Sequence, residues 1–303
     1  MYIALVTSAL VVLSLQAVQP LENKADYCPT AKDKPVVSYE GYKLIWSDEF
    51  NNDGKPSDAW NFETGFVRNE ELQWYQADNA RVKDGCLIIE GRKEVVDNLN
   101  YVAGSNDWKE NRKVAEYTSS SLTTANSFHF MYGRLEVRAK IPTIMGAWPA
   151  IWTLGNQWDW PMCGEIDIME CYLVDGRRNI LANACWSSSQ KWVAVWNNKA
   201  MPLSHFSDKD SDWINKYHVW RMDWDVSKIS LYLDGELLNE INLSETHNQG
   251  WSGNRKNPFS NDIDGFGHYI LLNLAIGSNG GEPCNSDFPV KYEVDYVRVY
   301  QKK

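Results

Sequence analysis

The sequence predicts an all-β domain, a sandwich or a barrel. Three observations lead there. Runs rich in β-branched and aromatic residues recur along the 303-residue chain. Clusters of Gly, Asn, Asp and Pro separate them. Apolar spacing of the i, i+3, i+4 kind is not sustained anywhere beyond the N-terminal run. A dozen short strands without helices leave few other architectures.

The elements follow in chain order. Residues 1–21 carry no charged side chain, and residues 3–15 are almost wholly apolar. That run is too short to span a membrane as a helix and fits the apolar region of a signal peptide. The expected organisation is a signal peptide over 1–19, a polar, Pro-containing leader over 20–38, and one domain over 39–303 with no linker or internal repeat. A secreted location, periplasmic or extracellular, goes with it. Strand runs are read at 44–50, 86–94, 119–124, 133–141, 147–154, 165–172, 179–186 and 217–225. Further runs stand at 228–233, 236–241, 269–276 and 292–301. Asp234-Gly235 between the 228–233 and 236–241 runs is a two-residue hairpin signal.

Composition narrows the partners. A formal net charge of −10 argues against a nucleic-acid backbone or an anionic membrane surface, which reward clustered Lys and Arg. Trp and Tyr number 15 each and Phe 9; these suit a large all-β core and equally a cleft lined with flat indoles for the apolar faces of sugar rings. Six cysteines are an even number in a chain read as exported, so disulfides are permitted and buried free thiols are the alternative. No Cys/His cluster suggests zinc.

The most informative segment is Gly164-Glu165-Ile166-Asp167-Ile168-Met169-Glu170-Cys171-Tyr172. Strand alternation puts Glu165 and Asp167 on one face and Ile166 and Ile168 on the other. The same count carries Glu170 to the core side, where an unpaired carboxylate is very costly. A β-bulge near Ile168-Met169 absorbs one residue and returns Glu170 to the face of the other two acids; the alternative is a strand that ends at Ile168. With the bulge, Glu165 and Glu170 lie roughly 13 Å apart at Cα. On a concave sheet their carboxyls can close to about 5–5.5 Å, the separation of a retaining glycosidase. Three acids alone equally describe a solvated face or a cation site; Trp148, Trp152, Trp158 and Trp160 nearby favour a sugar cleft.

The segment Glu165-Ile-Asp-Ile-Met-Glu170 resembles the signature of glycoside hydrolase family 16 in its bulged form. Other stretches resemble the family's laminarinase-type branch, among them Trp46-Ser-Asp-Glu-Phe50, Arg68-Asn-Glu-Glu-Leu-Gln-Trp-Tyr75, Gly133-Arg-Leu-Glu-Val-Arg-Ala-Lys140, Ala147-Trp-Pro-Ala-Ile-Trp152, Leu272-Asn-Leu-Ala-Ile-Gly277 and Val294-Asp-Tyr-Val-Arg-Val-Tyr300. The likeness spans roughly residues 40–301. It implies a concanavalin-like jelly-roll sandwich of two curved antiparallel sheets. It also implies retaining endo-hydrolysis of β-1,3-glucan or mixed-linkage β-1,3/1,4-glucan with no cofactor for catalysis; a monomer is expected, though the residues themselves do not speak to oligomeric state. By motif position Glu165 is the nucleophile, Glu170 the acid/base and Asp167 the assistant of Glu165.

For substrate contacts the resemblance points to Asn69, Trp148 and Trp152, with core packing the alternative for both tryptophans and a turn role for Asn69. Arg134 either contacts glycan or pairs with an acid. If Cys185 faces the core, alternation puts Trp186 in the cleft; Cys171 also faces the core, which permits a Cys171–Cys185 bridge. Relatives' structural Ca²⁺ has its matching positions at Glu49, the backbone of Gly85 and Asp295, with a hydrogen bond or an Arg pair to Asp295 as the alternative. Two other functions fit the same fold: a non-catalytic β-glucan-binding protein, and the same chemistry on agarose or carrageenan. The three acids speak against the first, and the acidic charge against a sulfated polyanion.

Overall fold

The computed structural model describes residues 34–303. The signal-peptide expectation and Cys28 lie outside the described residues.

Two large sheets form the sandwich. One has seven strands, in the spatial order Ala194–Pro202, Arg177–Ser187, Glu165–Val174, Ala147–Gly155, His268–Ile276, Ser121–Thr123 and Asn61–Phe62. The other has eight: Glu236–Asn242, Lys228–Leu233, His218–Trp224, Gly133–Lys140, Val290–Lys302, Cys86–Gly91 and Ala80–Lys83, with Tyr42–Asp48 also paired to Val290–Lys302. Neighbours in both sheets pair antiparallel. Among the described residues, helix is confined to single turns such as Ser204–Ser207.

Alternation builds the core. Leu135, Val137, Val297 and Val299 of the eight-stranded sheet join Ile151, Ile166, Ile270 and Leu272 of the seven-stranded one in a single apolar cluster. Each contributes every second side chain to the space between sheets, leaving the other face of the seven-stranded sheet free to carry polar groups. At the expected hairpin, Asp234 and Gly235 take φ of 48° and 86° between the paired residues Leu233 and Glu236, the twist that a two-residue turn requires.

The strand Ala194–Pro202 carries no strand signal in the sequence. It is the edge of its sheet, with most of its residues exposed, so no apolar alternation is imposed on it. The described end of the leader makes its own contacts. From Lys34 onward it is docked on the sandwich: the Pro35 carbonyl accepts from Arg298 Nη1 at 3.1 Å, and the Tyr39 hydroxyl bonds Glu136.

Ile151, on the strand beside the acidic one and opposite Met169, is fully buried. Ile151→Ala should cost about 2–5 kcal/mol, read as a lower urea midpoint at unchanged slope. A midpoint equal to wild type would contradict a core shared by both sheets.

Candidate active site

The acidic strand Glu165–Val174 contains the bulge. On one side Ile151 pairs with Met169 and Trp152 with Asp167, leaving Ile168 without an opposite number. On the other side the register slips between Asp167 and Glu170. Ile166, Ile168, Met169 and Cys171 all enter the core, whereas Glu165, Asp167, Glu170 and Tyr172 line a cleft of about 560 Å³ on the outer face of the sheet. One extra residue on the core side restores the acids to a common face.

Indoles and amides hold the carboxyls. Trp160 Nε1 donates to Glu165 Oε2 at 2.7 Å. Glu170 accepts from Trp148 Nε1 at 3.0 Å and from Asn183 Nδ2 at 3.1 Å, one bond to each oxygen. Trp152 Nε1 is fixed on Asn273 Oδ1 at 2.7 Å, and Asn273 in turn donates to the Tyr75 hydroxyl at 3.0 Å. The Arg68 guanidinium lies 5.0 Å over the Trp152 ring and pairs with Glu63. These bonds lock the ring planes that a sugar would stack against.

Three acids crowded together cannot all ionise. Burial raises all three, and Asp167 is also raised by the charges of Glu170 and Glu165. Asp167 is almost completely buried and hydrogen-bonded to Glu165. It therefore keeps its proton and donates it toward Glu165. That bond, the Trp160 indole and the positive charge of Arg68 pull Glu165 back down, so it is the acid of the three best placed to ionise. Glu170 is pushed up to about 8 by burial and by the charge of Glu165, against the opposing bonds from Trp148 and Asn183. These influences favour a carboxylate at Glu165 paired with a carboxylic acid at Glu170. Such a pair can attack an electrophilic carbon and protonate a leaving oxygen.

Of the expected contacts, Trp148, Trp152 and Asn69 line the cleft. Asn69 combines both of its readings: it has a left-handed backbone, φ 57°, and donates to Glu71 Oε1 at 3.2 Å. Two expectations are corrected. Arg134 is no glycan contact but takes its other reading, a pair with an acid: it lies in the other sheet, gripping Asp223 through two bonds of 2.6 and 2.9 Å. Trp186 belongs to the core, because Glu165 pairs directly with Cys185 and residues opposite one another share a face. Cys185 is thus the residue on the cleft side, Cys171 is on the core side, and both are free thiols, which removes the suggested bridge. Cys86 and Cys163 are also free and buried.

Reading the sequence missed Arg68, Glu71, Tyr172 and Asn273 in the lining. Asn183, in a segment rich in Asn and Trp over 183–198, lines the cleft as that composition suggests, and it pairs with Asp167 across the strands.

The positions expected to hold calcium converge, but on a different cation. The carbonyls of Glu49, Gly85 and Asp295 point at the Lys34 ammonium, and the carboxylates of Glu49 and Asp295 are engaged by Arg298 and Arg138. The hard oxygens fit such an ion, yet its place is taken. The cradle lies on the eight-stranded sheet and supplies nothing to the cleft.

The family model for glycosyl hydrolases family 16 matches residues 74–259. Glucan endo-1,3-beta-glucosidase A1 of Niallia circulans is 31% identical over 281 residues, 87% of this chain. The chain spans only 38% of that relative's length. Among solved structures, one from work on endo-acting O-glycanases with which human gut bacteria initiate mucin breakdown superposes with a TM-score of 0.76 at 34% identity, covering 89% of this chain and 94% of its own. SCLam, a non-specific endo-β-1,3(4)-glucanase, gives 0.69 at 32%, covering 89% and 95%.

The raised Glu170 carboxyl links folding to pH. The folded chain keeps this proton up to about pH 8, whereas the ordinary value is 4.5. Between those values the unfolded chain ionises and the folded one does not, so the residue progressively opposes folding as pH rises. Glu170→Gln should melt close to wild type at about pH 4 and clearly above it at about pH 9. An equal difference at both pH values would contradict the raised carboxyl.

Proposed function

The chain belongs to glycosyl hydrolases family 16, and from that premise we propose that it is a retaining endo-β-glucanase acting on β-1,3-glucan or mixed-linkage β-1,3/1,4-glucan. One observation carries the reading: Glu165, Asp167 and Glu170 share one face of a bulged strand within a tryptophan-lined cleft. Glu165 attacks the anomeric carbon while Glu170 protonates the glycosidic oxygen, so the C–O bond breaks as the glycosyl-enzyme ester forms. Esterification removes the charge on Glu165 that raises Glu170. Glu170 then becomes the weaker proton holder and takes a proton from the incoming water, which attacks the same carbon and frees Glu165. Asp167 keeps a hydrogen bond on Glu165 throughout and eases its departure. No cofactor enters these steps. Export is part of the same proposal, supported by the charge-free residues 1–21.

A second substrate deserves an arm in the test because the O-glycanase structure is a strong match: the same carboxylates acting inside a mucin-type O-glycan chain. Reducing-end release should be measured on laminarin, lichenan, barley glucan, agarose and mucin O-glycans. Release from the glucans is expected; release from O-glycans or agarose alone would move the substrate and keep the mechanism. Binding of laminarin without cleavage would make the chain a lectin-like member of the fold.

With the preferred substrate, Glu165→Gln should abolish turnover and Glu170→Gln should lower kcat about 10²–10⁴-fold. The first product seen by NMR should be the β-anomer; an α-anomer would exclude double displacement. The basic limb of kcat/KM should fall near the Glu170 value of about 8. In Asn183→Ala it should move to higher pH, since that amide stabilises the ionised form. A limb that stays put or moves down would reassign the acid.

A further inference from the structure

The Lys34 ammonium is almost completely buried, and its surroundings are unusual for a lysine. Three backbone carbonyls close on Nζ, from Glu49 at 2.6 Å, Gly85 at 2.5 Å and Asp295 at 2.5 Å. They come from three separate stretches of chain, and none of the three groups is supplied by the leader that carries the lysine. An ammonium has three N–H donors, and three carbonyls take them. Asp295 Oδ1 stands 2.9 Å away as an ion-pair partner without a hydrogen bond of its own, which follows once the donors are used up. Its other oxygen accepts from Arg138 Nη1 at 2.8 Å.

Three carbonyls and one carboxylate converging on one point form a cradle of the oxygen ligands that a hard cation such as calcium takes. Lysine nitrogen and a divalent ion cannot share that volume. The two neighbouring acids are also accounted for without a metal: Glu49 by both arms of Arg298, at 2.9 and 2.8 Å, and Asp295 by Lys34 and Arg138. Emptied of its ammonium, the cradle would hold three inward carbonyl dipoles and a buried carboxylate with half its compensation gone, which is costly.

We propose that Lys34 is the resident cation of this site, an ammonium on a tether that stands in place of a divalent ion and pins the leader to the eight-stranded sheet. The fold of the wild-type chain is therefore independent of divalent metal, and removing the ammonium uncovers a latent site for one. The inference concerns stability alone and stands apart from the glucanase reading.

The test is thermal melting of the whole chain in excess EDTA and in saturating Ca²⁺, for wild type and for Lys34→Met, which keeps the stem and loses the charge. Wild type should melt at one temperature in both. Lys34→Met should melt several degrees lower in EDTA and recover most of the loss in Ca²⁺, with one-site binding by calorimetry that wild type lacks. A wild-type melt raised by Ca²⁺ would mean that the ion displaces the lysine, and would overturn the proposal. So would a Lys34→Met protein as stable as wild type in EDTA, or one that Ca²⁺ fails to rescue. Should Lys34→Met not fold, Tb³⁺ luminescence on wild type decides: no sensitised emission is expected, and emission that saturates at one site overturns the assignment.

Discussion

One extra residue, Ile168, determines what the outer face of the seven-stranded sheet can do. A strand of period two cannot place acids at positions 165, 167 and 170 on one side. Unbulged, it would drive Glu170 among Ile166, Ile180 and Leu272 in the core, where an ionised carboxylate without partners is untenable. The bulge gives Ile168 and Met169 both to the core and returns Glu170 to the cleft. The apolar side gains a side chain and the polar side gains an acid.

Gathering three acids creates an electrostatic problem that the surroundings solve unequally. The deepest, Asp167, has no cation to compensate it and stays protonated. Glu165 receives two hydrogen bonds and the field of Arg68. Glu170 receives two hydrogen bonds but also the charge of its neighbour. Different pKa values follow from different company, not from different residue types. The tryptophans act twice: their N–H groups orient Glu165 and Glu170, and their faces form the wall of the cleft.

The eight-stranded sheet shows the same economy with charge in a structural setting. Lys34, Arg138 and Arg298 neutralise Asp295 and Glu49 at a point where the leader, the first strand, the turn before Cys86 and the last strand converge. Long-range convergence of this kind ties chain ends into a sandwich whose sheets are otherwise stitched by neighbour-to-neighbour pairing.

Sequence by itself determined the strand content, the hairpin at Asp234-Gly235, the core residues of the acidic strand and the need for a bulge within it. Each is a local matter: period-two patterning, turn chemistry, and the cost of one carboxylate among isoleucines. The phase of the adjacent strand was not legible, because whether Cys185 or Trp186 faces the cleft depends on its register against Glu165, and both residues tolerate burial. Nor was the partner of Arg134 legible, since Asp223 is 89 positions away. The edge strand carrying Trp196 was hidden because solvent on its outer side removes the apolar pattern. Lys34 looked like one more polar residue of a leader. Only the folded chain brings Glu49, Gly85 and Asp295 around it, and carbonyl groups, which every residue has, leave no trace in the order of side chains.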